Sequence, residues 1–301
     1  MPVGVETGLF RIGELSRRTG VSVDVIRAWE RRYQLLTPAR SEANFRLYSA
    51  EDLARLRLMS HYVKQHIAPS RAAELVRRSK NDALDSNPGI PQADVRSALR
   101  TLRNSLECYD DAPAGRLLQR LVSVFSPGAV LRDVVLPYLG ELGDRWQNEE
   151  VSVAQEHFAS CFLESWILTV SRGYGRSDGR RAVLACLPGE PHCLGLAAFG
   201  LALRDLGWRV TYLGGDTPLQ SAADAAAAVR ADVIVLAAVL PEVLAANVPD
   251  LGAIDGYPAV LGGPATSGEA VPGLALPVLP ADLLIAAHSL AAHAHAHARV
   301  G

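Results

Sequence analysis

Four cysteines in 301 residues are too few and too scattered to frame a fold. Cys108, Cys161, Cys186 and Cys193 form no C-x-x-C pair and keep no regular spacing, which excludes a disulfide scaffold and a structural zinc site and leaves buried thiols as the expectation. Long hydrophobic runs are also missing. No apolar stretch reaches the roughly 18 to 20 residues that a membrane span needs. The opening MPVGVETGLFRIGE lacks the basic and apolar regions of a signal peptide, so a cytoplasmic location without membrane contact is expected. Neither a phosphate-cradling loop nor a nucleophile paired with a base is visible, and with them goes the expectation of an enzyme. No internal repeat is found. The one biased segment is the tail AAHAHAHARV, whose His293 and His297 would share a helix face but read best as a solvated, alanine-rich end.

What is present suffices for two or three domains, with an apolar content of 49%. The formal net charge of -2 conceals an asymmetry: residues 1–80 hold 15 Lys+Arg against 8 Asp+Glu, and residues 81–301 hold 15 against 24. A basic head on an acidic body expects only the head to meet a polyanion. The head, Arg-rich with helical periodicity, is followed by KNDALDSNPGIPQ, which has the composition of a linker. Residues 93–173 then repeat apolar positions at three and four, as in LRDVVLPYLGELGDRW and FASCFLESWILTV, and predict a helical bundle. After GYGRSDGR the rhythm changes to short apolar runs, AVLACL, VTYLGG, DVIVLAAV, AVLGG and a weaker ALPVL, separated by helical stretches. That alternation predicts a doubly wound parallel α/β, Rossmann-like sheet. The expected division is a head over 1–80, a linker over 81–92, a four-helix bundle over 93–175 and an α/β domain over 176–301.

In the head, RIGELSRRTGVSVDVIRAWERRY reads as helix, turn, helix. Gly20 makes the tight turn, Ser22 caps the second helix, and Val21, Val25, Ile26 and Trp29 face inward, which leaves Arg27, Arg31 and Arg32 outward. A polar, hairpin-like wing carries Arg40 and Arg46, and Ser49 caps a further helix with Asp52 at its third position. The words IGELSRRTGVS, IRAWERRY and FRLYS, in this order, resemble the N-terminal domain of the MerR family of transcription regulators over residues 10–79. The resemblance implies an all-α winged helix-turn-helix that binds double-stranded operator DNA as a dimer, with Arg27, Arg31, Arg32, Arg40 and Arg46 at the interface. The family's long dimerisation helix is replaced here by the linker and bundle, so self-association is expected to come from elsewhere.

LPGEPHCLG, residues 187–195, falls between a predicted strand and a predicted helix, where such sheets bind ligands. It offers Glu190 and His192, a histidine able to ligate a metal through one nitrogen while a carboxylate holds the other. Gly214 and Gly215, like Gly262 and Gly263, end predicted strands on the same sheet edge and let something large approach. This set resembles a cobalamin-binding domain with an Asp/Glu-x-His-x-x-Gly loop. The resemblance makes His192 the lower cobalt ligand, Glu190 its orienting partner, and Gly195, Gly262 and Gly263 the walls that admit the nucleotide tail. Ala237 stands where that family commonly has serine, at a cost of about 1 kcal/mol for a lost hydrogen bond.

Finally, WQNEEVSVAQEH, residues 146–157, sets Trp146 ahead of a Glu156–His157 pair. Ser152 and Gln155 make a capping-box signature, so a helix should start near Val153 and all three side chains should meet at one end of the bundle. The spacing, with the head, cap and GEPHCLG loop, resembles the CarH-type photoreceptor repressors over almost the whole chain. The resemblance implies that Trp146, Glu156 and His157 pack around the 5'-deoxyadenosyl group of adenosylcobalamin. It further implies assembly as a dimer or tetramer on an operator in darkness, and release when light cleaves the cobalt-carbon bond. Gln147 departs from the family pattern, in which a histidine follows the tryptophan and captures cobalt after photolysis; His157 is the nearest other imidazole, and an amide is a poor substitute. Two other readings follow from these departures and from the architecture: a MerR-type regulator whose tail senses another cobalamin form, another ligand or none, and a corrinoid carrier, which the DNA-binding head argues against.

Overall fold

The computed structural model describes residues 10–36, 38–40, 45–64, 67–74, 76, 89–174, 179–266 and 272–297; at some helix and strand positions, Arg40 and His293 among them, only the backbone is described. The chain forms two units, residues 1–84 with 299–301, and residues 85–298.

In the first unit α1 (Ile12–Thr19) and α2 (Val23–Tyr33) are joined at Gly20, whose φ of 67° closes α1 in the left-handed conformation that glycine adopts without strain. Ser22 caps α2 by accepting the Val25 N–H. Leu15, Val21, Ile26 and Trp29 are buried with Leu53, Leu56 and Met59 of α3 (Ala50–Lys64). Val25, expected inward, is instead 38% exposed, because Ile26 and Trp29 define the buried stripe and Val25 sits at its edge. Ser49 and Asp52 form the reciprocal cap of α3, with Asp52 N to Ser49 Oγ at 3.1 Å and Ser49 N to Asp52 Oδ2 at 3.0 Å. The wing is a short antiparallel pair, β1 (Ala39–Arg40) and β2 (Arg46–Leu47), so the head is not purely helical.

The second unit begins with four helical rods: α4 (Gln92–Leu106), α5 (Asp111–Val122), a third rod, and α8 (Val153–Ser171). The third rod starts as α6 (Pro127–Val130), passes through a π-helical turn (Leu131–Val135) and continues as α7 (Leu136–Gln147). The capping box at Ser152 and Gln155 is formed, and α8 begins at Val153 as expected. Ile90, within the stretch read as linker, is buried in the bundle core, and its N–H donates to Asp133 of the π-helical turn at 2.9 Å.

The α/β part alternates β3 (Arg181–Cys186), α9 (Leu194–Asp205), β4 (Arg209–Gly214), α10 (Leu219–Val229), β5 (Val233–Ala237), α11 (Pro241–Asn247), β6 (Ala259–Gly262) and α12 (Leu283–His297). All four strands are parallel, in the order β4-β3-β5-β6. The ALPVL run adds only an isolated bridge between Val278 and Leu261. Strand alternation divides the core. Ala182, Leu184 and Cys186 join one cluster with α9, α12 and the bundle's Leu163 and Ile167, while Val183, Ala185 and Leu187 pack with α10 on the other face. Bundle and sheet therefore share a core, and each fully buried Leu or Ile in it contributes about 1.5–3 kcal/mol. Ala286, Ala287 and Leu290 of α12, which precede the AAHAHAHARV segment, are buried; the side chains of His293 and His297 lie outside the described residues.

Candidate functional site

The winding of the sheet reverses between β3 and β5, because β4 lies on one side of β3 and the later strands on the other. Such a reversal opens a crevice at the carboxyl ends of the strands. The loop after β3 enters it. Glu190 is 0% exposed there, and its Oε2 accepts the N–H groups of Val239 and Leu240, beyond β5, at 2.7 and 2.9 Å. Its Oε1 accepts the His192 N–H at 3.0 Å and faces His192 Nδ1 at 2.6 Å. Burial alone would raise the Glu190 carboxyl, but the N–H donors of Leu240, Val239 and His192, with the imidazole, outweigh it and hold it below the ordinary carboxylate value. A charged acceptor fixes the imidazole tautomer with hydrogen on Nδ1, so the basic nitrogen is Nε2. The His192 side chain is 55% exposed, which leaves that nitrogen open to a ligand.

The bundle reaches over this loop. Cys193 Sγ donates to Glu164 Oε1 of α8 at 2.9 Å, and at the other end of α9 Arg204 donates to the Tyr174 carbonyl at 3.2 Å. Thus α8 and α9 run side by side in the same direction, and the turns of α8 before Glu164 project about 16 Å beyond the start of α9. This overhang carries Glu156 and His157. His157 precedes Glu164 by seven residues, so it lies within about 20° of the same face, the one turned toward the His192 loop. The His157 side chain is 72% exposed, and its Nε2 stands 3.6 Å from Glu156 Oε2. Trp146, the last residue but one of α7, stands just before the turn into α8 and is 47% exposed. Its backbone is anchored: Arg145 pairs with Glu107, and Gln155 Nε2 donates to the Glu107 carbonyl at 2.9 Å. A large exposed indole on a fixed backbone is a flat apolar wall. Gln147 is exposed beside it.

Gly195, in the first turn of α9, has no atom beyond its chain neighbours and its own helix backbone within 4 Å of where a Cβ would stand. Gly263 differs. Its φ is 105°, and a Cβ would lie 2.3 Å from the Ala238 carbonyl oxygen, so glycine is required by the chain's own packing before any ligand is considered. A Cβ on Gly262 would make ordinary contact with Leu279 at 3.5 Å. Gly215 lies against the Glu190 loop, 3.1 Å from the Glu190 carbonyl oxygen by the same measure, and Asp216 Oδ1 accepts the Gly189 N–H at 2.7 Å. These residues hold the loop from the β4 side. At Ala237 only the backbone is polar, and its carbonyl accepts the Leu187 N–H at 3.0 Å.

Cys186 is buried, and burial pushes its thiol up to about 12. Cys108 and Cys161 are exposed, against the expectation of buried thiols: the first follows α4 in a surface turn and the second lies on the outward stripe of α8.

In the head, Arg27, Arg31 and Arg32 share the exposed side of α2. Arg46 is half-exposed and pairs with Glu30 at 3.0 Å, and Tyr48 Oη donates to the other Glu30 oxygen at 2.7 Å, which docks the wing onto α2. The side chain of Arg40 lies outside the described residues.

Residues 10–79 match the family described as MerR HTH family regulatory protein, and residues 98–167 match the family described as B12 binding domain. The HTH-type transcriptional repressor CarH of Myxococcus xanthus is 34% identical over 236 residues, covering 76% of this chain and 79% of the relative. The HTH-type transcriptional repressor CarA of the same organism is 32% identical over 260 residues, covering 84% and 86%. The chain belongs to the CarH and CarA family of HTH-type transcriptional repressors. Among solved structures, the Methanosarcina barkeri monomethylamine corrinoid protein superposes with a TM-score of 0.51 at 13% identity, covering 67% of this chain and 99% of its own, which shows the shared fold. A CarH-type chain of this composition is a DNA-binding transcription regulator with a cobalamin-binding body rather than an enzyme. Among the described residues no helix is long and apolar enough to cross a membrane.

In this CarH-type body the sequence motifs located Glu190, His192 and the Trp146 turn, but not what secures them. The Val239 and Leu240 N–H groups carry no side-chain signal at all. Glu164, Cys193, Ser160 and Tyr212, whose hydroxyl donates to the Cys193 carbonyl at 3.3 Å, look like ordinary helix and strand residues in the sequence. A helical count back from the loop would have found Ser160 and Glu156 four and eight residues before Glu164.

Proposed function

We propose that the chain is a light-responsive repressor that binds adenosylcobalamin between its bundle and its sheet, assembles on operator DNA in darkness and leaves it after illumination. The observation that carries this reading is the Glu190 carboxylate, 0% exposed and held by two backbone N–H groups, which pairs with His192 Nδ1 and leaves Nε2 for a ligand. His192 would ligate cobalt, and Glu190 would fix its tautomer and ring orientation. Gly195, with open space at its Cα, and Gly262 and Gly263 at the end of β6 would admit the nucleotide tail. Trp146 would flank the adenosyl group with its ring face, and Glu156 would accept hydrogen bonds from ribose hydroxyls. When bound, adenosylcobalamin supplies a cobalt-carbon bond that visible light cleaves. Contacts of Trp146 and Glu156 with the bound adenosyl group would bias self-association, and their loss would remove the bias. The head over 1–80 would use Arg27, Arg31, Arg32, Arg40 and Arg46 on operator DNA, with the linker over 81–92, the cap over 93–175 and the α/β domain over 176–301. Pairing heads in a dimer or tetramer raises their effective concentration on a repeated site.

Gln147 and Ala237 favour a second reading, in which the same body drives assembly with another cobalamin form, another ligand or none. Absorption spectra and elution volumes of the protein with adenosylcobalamin, in darkness and after green light, separate the two. A histidine-ligated spectrum whose bleaching accompanies a smaller assembly supports the photoreceptor; absence of bound cobalamin refutes it.

A further inference from the structure

Hydroxyls inside helices ordinarily donate to the carbonyl one turn back, as Thr101 does to Ser97 at 3.0 Å, Ser105 to Thr101 at 2.6 Å and Thr169 to Ser165 at 2.8 Å. Ser160 does not. Its Oγ donates to Glu156 Oε1 at 2.5 Å, on the overhang of α8. Resting on the functional reading above, we propose that Ser160 is a positioning residue that presets the Glu156 carboxylate for a hydroxyl-bearing upper ligand and so favours adenosylcobalamin over cobalamins that lack such hydroxyls.

The geometry supplies the reasons. Ser160 and Glu156 stand about one and two turns before Glu164, whose carboxylate meets Cys193 beside His192, each step of four residues rotating the position by about 40° around α8. A free glutamate loses about 1.5–2 kcal/mol of rotamer freedom when it is fixed on binding. Ser160 removes part of that freedom beforehand, which lowers the ordering cost at the moment of binding. The bond also divides the work of the two oxygens. Oε1 is engaged by Ser160, while Oε2, 3.6 Å from His157 Nε2, keeps its acceptor capacity for a ligand hydroxyl. A hydrogen bond to a charged acceptor is among the stronger ones, so its removal should be measurable.

The test titrates full-length protein in darkness with adenosylcobalamin and, separately, with methylcobalamin, read by absorption. Ser160→Ala should weaken adenosylcobalamin about five- to tenfold and methylcobalamin less than twofold. Ser160→Thr, which keeps the hydroxyl, should restore the preference, and in a Glu156→Ala background Ser160→Ala should add nothing, as coupled residues require. Equal losses for both cobalamins, unchanged affinities, or additive effects of the two substitutions would overturn the assignment. Wild-type protein that takes up neither cobalamin would instead overturn the functional reading and this assignment with it, a result the variants alone cannot produce.

Discussion

Replacing Glu190 with glutamine changes one atom in a side chain that is fully enclosed, and the consequences can be worked from its partners. The carboxylate accepts from the Val239, Leu240 and His192 N–H groups and from His192 Nδ1, at 2.7, 2.9, 3.0 and 2.6 Å. A glutamine oxygen can satisfy two of these donors, but its NH2 must then face the other two. Leaving a buried donor unsatisfied costs about 1–3 kcal/mol, so the variant should lose roughly 3 kcal/mol after partial relaxation. In urea this is a midpoint shift of about 1 M at slopes of 2–3 kcal/mol/M. The sign of the pH dependence follows from the depressed carboxyl. Its contribution is complete above the unfolded-state value of 4.5 and is lost as pH falls through the lower folded-state value. Wild type and variant should therefore differ most at pH 7 and converge as pH falls below 4.5. The same change releases the tautomer lock on His192, which should weaken histidine-ligated cobalamin about 10- to 100-fold. Coincident urea midpoints at neutral pH, or a difference that persists unchanged in acid, would refute the account of Glu190.

Other substitutions probe the remaining parts. Gly263→Ala forces a Cβ against the Ala238 oxygen at a φ of 105°, and should cost about 2–4 kcal/mol, read as a fall in Tm of about 5–10 °C; an unchanged melt would show that the strand end relaxes freely. Arg31→Ala combined with Arg32→Ala should weaken operator binding and flatten the plot of log affinity against log salt by about 2, while far-UV circular dichroism stays constant; an unaltered slope would move the DNA-binding face elsewhere. Trp146→Ala should retain cobalamin yet give the same elution volume before and after illumination, and a preserved light-driven change in size would exclude the indole as the coupling element.

Much of the fold was legible because its signals are local. Gly20, Ser22, the Ser49–Asp52 box and the Ser152–Gln155 box each mark a helix end through a hydrogen bond that spans three or four residues, and each is formed. The central strands β3 and β5 announce themselves as short apolar runs because both faces of the sheet are covered there, and the flanking β4 and β6 are less buried. ALPVL did not follow, since Pro277 interrupts its pairing and leaves a single bridge. Val25 shows the limit of periodicity: two adjacent apolar residues cannot both sit at the centre of one helical stripe. The glycines were legible only as backbone that could come close to something. For Gly263 that something is first the Ala238 carbonyl, a contact between segments far apart in the chain.

The same distinction separates the two halves of the candidate site. His192 and Glu190 could be paired by spacing, because two residues in one loop constrain each other locally. The reason Glu190 can remain charged without solvent lies in Val239 and Leu240, some fifty residues on, where the strand order folds β5 beside β3 and aims two N–H groups at the carboxylate. What ties a bundle helix to the His192 loop is the Glu164–Cys193 contact, again between distant segments. Because that contact joins α8 to the residue next to His192, a shift of the loop must either carry α8 with it or break the bond. Because α8 shares its buried stripe, Ala159, Leu163 and Ile167, with the core that continues into the sheet, a shift of α8 must repack side chains fitted at close to crystal density. Close-packed interfaces of this kind favour a few discrete arrangements over continuous sliding. A shift of the His192 loop is thereby placed where its consequence for α8 is discrete rather than graded.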